Sequence, residues 1–195
     1  MSDISPPRRR PGGRTARVGA AVHEAVRALI EERGRDGFTG RDVAERAGVN
    51  EATIYRRWGT LDNLVLDVAV AVAKLNQEQP LPDTGSLRRD LLLWAERMTT
   101  ELGAPEGLSL LQAAIAARAH TATDSDRARQ ITDIAAARAD LIQQMLDRAR
   151  TRGEHTPTLS RVLDRLVAPL YLRAIFGYGR TELDLDDILD NTLAE

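Results

Sequence analysis

The stretch FTGRDVAERAGVNEATIYRRW, residues 38–58, contains the start and stop signals of two short helices. Thr39 followed three residues later by Asp42 is a capping-box pattern, which predicts that a helix begins here. Gly48 can adopt the positive φ that ends this helix in a turn, and Asn50 is a favourable N-cap for a second helix. Two short helices joined by a glycine-containing turn of three or four residues are typical of a helix-turn-helix.

The apolar residues of the same stretch indicate which face of each helix is buried. Val43 and Ala44 fall on the inner face of the first helix, and Val49 follows from the turn. Ile54 and Trp58 are four residues apart, so they share one face of the second helix. The opposite face carries polar residues: Glu51, Tyr55 and Arg56, with Thr53 near the first turn and Arg57 at the edge.

The formal net charge of −2 is unevenly distributed along the 195 residues. Residues 1–58 hold 12 arginines and 8 carboxylates, whereas residues 59–195 hold 15 basic residues and 21 carboxylates. This asymmetry indicates a polyanionic partner for the N-terminal part. The second helix of a helix-turn-helix enters the major groove of DNA, where its side chains reach base edges and phosphates. Double-stranded DNA is therefore the predicted partner.

Residues 1–13, MSDISPPRRRPGG, have the proline, glycine and arginine content of a disordered basic arm. Such an arm could lie in the minor groove of DNA, and a leader without a specific role has the same composition. The chain is therefore expected to have three parts: a disordered basic arm at 1–13, a helix-turn-helix DNA-binding domain at 14–59, and a helical regulatory and dimerisation domain at 60–195.

Apolar stripes and helix-capping residues follow one another through the rest of the chain. Val18, Val22 and Val26 recur at four-residue steps and predict a first helix. Thr60 is a suitable cap for a helix that continues to Pro80. Strand alternation and hairpin signals are absent, so the predicted fold class is all-α, with a three-helix N-terminal domain followed by a larger helical bundle. Further helices fit residues 86–102, 105–119, 124–152, 159–178 and 184–194.

Composition and motifs argue against several classes of protein. The chain has no cysteine, hence no disulfide framework and no thiolate metal site. No apolar run reaches the roughly 18 residues of a membrane span, and no signal-peptide core follows the N-terminal arginines. Nucleophile and nucleotide-binding motifs are also missing. We therefore expect a cytoplasmic protein that has no cofactor, no bound metal and no membrane partner, and that is not an enzyme.

Polar residues interrupt the apolar stripes of the body at two positions. Gln112 falls on the stripe of one predicted helix and Arg138 on that of another, while Trp94 and Met98 lie on a third. Such stripes are usually ordinary core, but apolar faces with a few polar groups also form small-molecule pockets. These four residues are the candidate ligand contacts. Arg138 would need a carboxylate partner from the protein or from a ligand.

The segment 159–178 is too apolar for a helix with one side on the surface. Pro169 should kink this helix or mark the point where it restarts. Together with the last helix, the segment could form a dimer bundle with two-fold symmetry. A homodimer is therefore expected.

The last helix contains DDILD, a carboxylate pattern with which helical prenyl-transfer enzymes hold magnesium. Asp186 and Asp190 are four residues apart and so share a helix face. No second acidic motif accompanies them, and acidic residues at the start of a helix also favour its dipole. A helical enzyme is therefore an alternative with a weaker sequence signal.

The longer stretch FTGRDVAERAGVNEATIYRRWGTLDNLV, residues 38–65, resembles the DNA-binding signature of the TetR/AcrR transcriptional regulators, and the resemblance extends over residues 14–75. It implies a homodimer, an N-terminal three-helix DNA-binding domain and a C-terminal helical domain that binds a small molecule. The family usually has a lysine that meets the DNA backbone where this chain has Leu61. Leu61 cannot make this phosphate contact, and the arginine pair Arg56 and Arg57 could compensate for its loss.

The resemblance also implies which residues contact DNA. Thr39 matches a phosphate contact, Arg41 matches a site that reaches a base or a phosphate, and Thr60 matches the hydroxyl cap of the fourth helix. Arg56 and Arg57 occupy positions often held by aromatic residues or histidine. The candidate DNA-binding residues are Thr39, Arg41, Asn50, Glu51, Thr53, Tyr55, Arg56, Arg57 and Thr60.

Sequence alone therefore predicts a sequence-specific DNA-binding transcriptional regulator, and more specifically a repressor that a small-molecule ligand releases from a palindromic operator. Two alternatives stay open. One is the helical enzyme that uses Asp186–Asp190, and the other is a DNA-binding regulator whose body binds a protein partner or nothing.

Overall fold

The computed structural model describes residues 13–120, 125–177 and 184–194, apart from the side chains at 13–14, 117–128 and 131. These residues form helices and no strand, which confirms the predicted all-α class. They divide into two compact units that meet between Leu64 and Val65. The predicted basic arm lies outside the described residues except for Gly13, where the first helix begins. No helix of the described residues is long and apolar enough to cross a membrane.

The N-terminal unit consists of three helices and the start of a fourth: α1 (Gly13–Arg33), α2 (Gly40–Ala47), α3 (Glu51–Trp58) and the first turn of α4 (Leu61–Glu78). Its core is built from the apolar stripes that the sequence predicts. The buried residues include Val22, Val26, Leu29, Ile30, Val43, Ile54, Trp58 and Leu64.

This unit extends five residues beyond the boundary expected from the sequence. The Thr60 hydroxyl accepts a hydrogen bond from the Asn63 amide (3.1 Å), so the predicted cap of α4 is confirmed. Asn63 Nδ2 donates to the Trp58 carbonyl oxygen (2.9 Å), and Leu64 is fully buried. The first turn of α4 therefore packs as part of the N-terminal unit.

The C-terminal unit contains the rest of α4 and the remaining helices: α5 (Leu87–Gly103), α6 (Pro105–His120), α7 (Ser125–Thr151), α8 (Leu159–Val162), α9 (Ala168–Phe176) and α10 (Leu185–Leu193). These bounds agree with the predicted helices to within a few residues. A single hydrophobic core joins α5, α7, the segment 159–176 and α10, with Trp94, Ile142, Met145, Leu166 and Leu189 fully buried or nearly so.

The segment between α8 and α9 forms a π-helical turn, Leu163–Val167. The Ala168 amide donates to the Leu163 carbonyl oxygen, five residues earlier. Pro169 has no N–H and its ring excludes an ordinary helical bond to the carbonyl four residues earlier. The wider turn places Pro169 in the first positions of α9, where a missing N–H is tolerated. The predicted restart at this proline is confirmed.

Candidate nucleic-acid interface and ligand cavity

Backbone hydrogen bonds fix the turn between α2 and α3. Gly48 ends α2 in the left-handed conformation, with a φ of 65° that its missing side chain permits. The Val49 amide then donates to the Ala44 carbonyl oxygen (2.9 Å). Asn50 Oδ1 accepts from the Ala52 amide (2.8 Å), so the predicted N-cap of α3 is confirmed and α3 begins directly after the turn.

The eight-residue helix α3 is anchored by two side chains. Ile54 is 0% exposed and Trp58 is 6% exposed. A helix of about two turns is not stable by itself, so the packing of these residues keeps α3 folded. The remaining side chains include the exposed polar residues Asn50, Glu51, Tyr55, Arg56 and Arg57, and the half-buried Thr53.

Tyr55 lies across the start of α2. A Cβ added to Gly40 would stand 2.7 Å from the Tyr55 hydroxyl oxygen, so the glycine leaves the space that the tyrosine occupies. Thr39 and Arg41, on either side of Gly40, are both exposed. Backbone amides and the helix dipole favour an anion at a helix N-terminus. The start of α2 therefore offers polar side chains suited to a DNA phosphate.

Arg57 differs from its neighbour Arg56 because its guanidinium is engaged within the protein. Arg57 Nη1 donates to the Thr15 carbonyl oxygen (3.2 Å), and the guanidinium carbon lies 4.7 Å from the centre of the Trp58 ring. A Cβ added to Gly19 would stand 3.1 Å from both terminal nitrogens of Arg57. Sequence reasoning grouped Arg57 with the DNA contacts and missed this role. A glycine inside a long helix, which often marks a close approach, was the available signal.

The predicted capping box of α2 is present with both of its hydrogen bonds. The Thr39 hydroxyl accepts from the Asp42 amide (3.3 Å), and the Asp42 carboxylate accepts from the Thr39 amide (2.8 Å) and the Thr39 hydroxyl (2.5 Å). The hydroxyl and amide of Thr39, assisted by Arg33, lower the pKa of Asp42 from 3.8 to about 2. The folded protein therefore favours the ionised carboxylate.

This lowered pKa predicts that the stability of the N-terminal unit is sensitive to acid. The stabilisation from Asp42 should be complete above pH 3.8, and it should be lost as the pH falls through about 2, because the carboxylate must then be protonated. Asp42→Asn should remove this part of the pH dependence. Urea unfolding at several pH values would measure it, with Glu45→Gln on the same helix as the control. An unchanged acid profile in Asp42→Asn would contradict the prediction.

The C-terminal unit contains a partly open cavity of about 470 Å³. Most of its lining is aliphatic, contributed by α4, α5, α6 and α7 together with the π-helical turn and α9. Trp94, Met98 and Arg138 belong to the lining, so three of the four candidate ligand residues lie together. This volume is within the usual range of small-molecule pockets.

Gln112, the fourth candidate, is exposed and does not line the cavity, so its assignment is corrected. α6 turns a neighbouring face toward the cavity, and this face is formed by Leu110, Leu111, Ala114 and Ile115. Because successive helix residues differ by about 100°, Gln112 falls just outside this face. Sequence reasoning also missed Asn76, Gln77 and Glu101, which contribute polar groups to the lining.

The carboxylates of the DDILD motif have a structural partner. Arg88 on α5 donates to Asp190 Oδ1 (2.5 Å) and to Asp186 Oδ1 (2.7 Å). The carboxylate of Asp190, and to a lesser extent that of Asp186, raises the pKa of Arg88. The Asp184 carboxylate caps α10 through the amides of the next two aspartates. The two motif carboxylates therefore attach α10 to α5, which is a different use from the predicted enzymatic alternative.

Two family models match this chain. The model described as "Bacterial regulatory proteins, tetR family" matches residues 23–68, which include the whole helix-turn-helix. The model described as "Tetracyclin repressor-like, C-terminal domain" matches residues 81–191, more than half of the chain. Together they match residues in both compact units.

Individual proteins give the same result. The HTH-type transcriptional regulator AqdR of Rhodococcus erythropolis is 32% identical over 154 residues, which are 79% of this chain and 72% of AqdR. The crystal structure of the TetR family transcription regulator SCO0332 matches with a TM-score of 0.63 at 27% identity, over 90% of this chain and 94% of that one. FadR from Bacillus subtilis, solved in complex with stearoyl-CoA, shares the fold, with a TM-score of 0.60 at 13% identity over 90% and 97% of the two chains.

Proposed function

The chain belongs to the TetR family of bacterial transcriptional regulators, and we propose that it represses transcription until a small-molecule ligand releases it from its operator. As a member of this family it is a DNA-binding regulator and not an enzyme. The observation that carries the proposal is an intact helix-turn-helix on the same chain as an apolar cavity of about 470 Å³. Its site of action would be the cytoplasm, where bacterial DNA lies.

The proposed DNA contacts divide into two groups. Thr39, Arg41, Tyr55 and Thr60 would bind phosphates, with Arg56 beside them at the end of α3. Base edges would be read from the exposed first turn of α3, by Asn50, Glu51 and Thr53. Arg57 is assigned instead to holding α3 against α1, and no contact is assigned to Leu61.

Selection from a pool of random DNA duplexes tests this assignment. The wild-type protein should enrich one two-fold symmetric site, and Glu51→Gln should relax the preference at one base pair per half-site by about 1 kcal/mol. Glu31→Gln, which removes an exposed carboxylate from α1, should leave the selected sequence unchanged. If the wild-type protein enriched no sequence, this would contradict the proposal that α3 reads base edges.

A homodimer would supply the two-fold symmetry of that site. Leu172 and Phe176 on α9 are exposed, at 48% and 67%, and Ile188 and Leu193 on α10 are partly buried. Apolar side chains of this kind are suited to a subunit interface. The dimer would place two α3 helices about one DNA turn, ~34–36 Å, apart or a near multiple of it.

Ligand release would act through α4, the helix that the two units share. α4 lines the cavity at positions from Leu66 to Gln77, and its first turn belongs to the DNA-binding unit. FadR shows that a regulator of this fold can hold a ligand with an apolar chain. A ligand releases DNA only if it binds the non-operator geometry more tightly, typically by about 1–3 kcal/mol. By reciprocity, operator DNA must weaken ligand binding by the same factor.

A further inference from the structure

Several polar side chains of the cavity gather toward one end. Asn76 Nδ2 donates to Glu101 Oε2 (3.4 Å), which joins α4 to the end of α5. Gln77 Nε2 donates to the Ile134 carbonyl oxygen (2.8 Å), one helical turn before Arg138 on α7. Adjacent residues of α4 therefore connect the part of α5 that carries Glu101 with the part of α7 that leads to Arg138.

The opposite end of the cavity is mainly apolar. Trp94 precedes Glu101 by about two helical turns on α5, or ~10 Å along the axis. Ile142 follows Arg138 by about one turn, and the π-helical turn adds Leu163 and Val167. A molecule long enough to reach both ends would place its apolar part against Trp94 and its polar part near α4.

Glu101 and Arg138 bring opposite charges to this lining without forming an ion pair with each other. No carboxylate among the described side chains pairs with Arg138, which is half-buried. Glu101 has a 3.9 Å contact with Arg97 on its own helix, in addition to the Asn76 amide. Partly buried charged groups are stabilised when each gains a hydrogen-bonding partner. Both side chains therefore have capacity for a ligand.

We propose that the cavity takes an uncharged amphipathic molecule with an apolar body and a polar head. The head would accept a hydrogen bond from Arg138 and donate one to Glu101. An organic anion would pair with Arg138 but would also meet the like charge of Glu101. An organic cation would pair with Glu101 but would meet the like charge of Arg138. This ligand class rests on the proposed function only because it treats the cavity as the effector site.

Four probes that share an eight-carbon chain separate the possible ligand classes. Octanamide has an acceptor and a donor, methyl octanoate has an acceptor only, octanoate is an anion and octylammonium is a cation. Calorimetric titration of the full-length protein at pH 7 should show octanamide binding at least about tenfold more tightly than each of the other three. A missing partner for a charged group carries a penalty of this order.

Two charge-neutralising variants test the roles of the head-binding residues. Arg138→Gln should shift the preference toward octylammonium by about tenfold, and Glu101→Gln should shift it toward octanoate by a similar factor. Arg97→Gln neutralises a neighbour of Glu101 that lies outside the lining. Octanamide should remain the probe that binds most tightly to this variant. Opposite shifts in two variants at the same cavity cannot come from a general loss of folding.

Several results would overturn the ligand class. Octanoate or octylammonium binding most tightly to the wild-type protein would replace it by a charged ligand. Binding of none of the probes at millimolar concentration, or an equal affinity for all four, would also refute it. The proposed function fails separately: octanamide that binds without changing operator affinity would uphold the ligand class and refute ligand release.

Discussion

Replacing Ile54 by alanine is expected to lower the free energy of unfolding of the DNA-binding unit by about 2–5 kcal/mol. Ile54 is fully buried, and α3 has only eight residues. Because such a short helix has little stability of its own, removing one of its two buried anchors should release it from α1 and α2. Operator binding should be lost with it, since the reading side chains would no longer be held in one arrangement.

Hydrogen exchange of the full-length protein would measure this effect separately in the two units. Amide protection in α1–α3 should fall by a factor of about 30 to several thousand, which corresponds to the same free energies. Ile54→Val, which keeps most of the side chain, should cost only about 0.5–1.5 kcal/mol. Protection that stayed unchanged in Ile54→Ala would show that Trp58 and the turn hold α3 without Ile54.

The helix-turn-helix could be predicted in detail because its signals are local. The capping box of Thr39 and Asp42, the turn at Gly48 and the cap at Asn50 each depend on residues within five positions of one another. The buried pair Ile54 and Trp58 follows from helical spacing alone. Local rules of this kind need no knowledge of which helices become neighbours.

The features that sequence reasoning missed depend on contacts between distant segments. Arg57 binds the Thr15 carbonyl oxygen, 42 positions earlier. Gln112 was placed wrongly because a stripe on α6 does not specify which side of it faces the cavity. Asp186 and Asp190 were the basis of the enzymatic alternative, but their partner Arg88 lies about 100 positions away. Spacing identifies a face, whereas the tertiary fold decides what covers it.

Arg56 and Arg57 are adjacent and both exposed, yet alanine should affect operator binding differently at the two positions. Arg56→Ala should remove one phosphate contact per subunit, which lowers the salt slope of binding by about 1.8 for a dimer. The affinity lost between 50 and 200 mM salt should then be about tenfold smaller than in the wild-type protein. Arg57→Ala should leave this slope unchanged, because its guanidinium is engaged with Thr15 and Trp58.

Arg57→Ala should nevertheless weaken operator binding by about 30- to 150-fold, since a charged hydrogen bond and a cation–π contact that hold α3 to α1 contribute about 2–3 kcal/mol together. Gly19→Ala provides an independent test, because the added Cβ would stand 3.1 Å from the guanidinium nitrogens. It should weaken binding while the helix propensity of α1 improves by about 1 kcal/mol. In the Arg57→Ala background the same substitution should cost no further affinity, because nothing remains for the Cβ to displace. If Arg57→Ala lowered the salt slope as Arg56→Ala does, Arg57 would be a phosphate contact, as the sequence alone predicts.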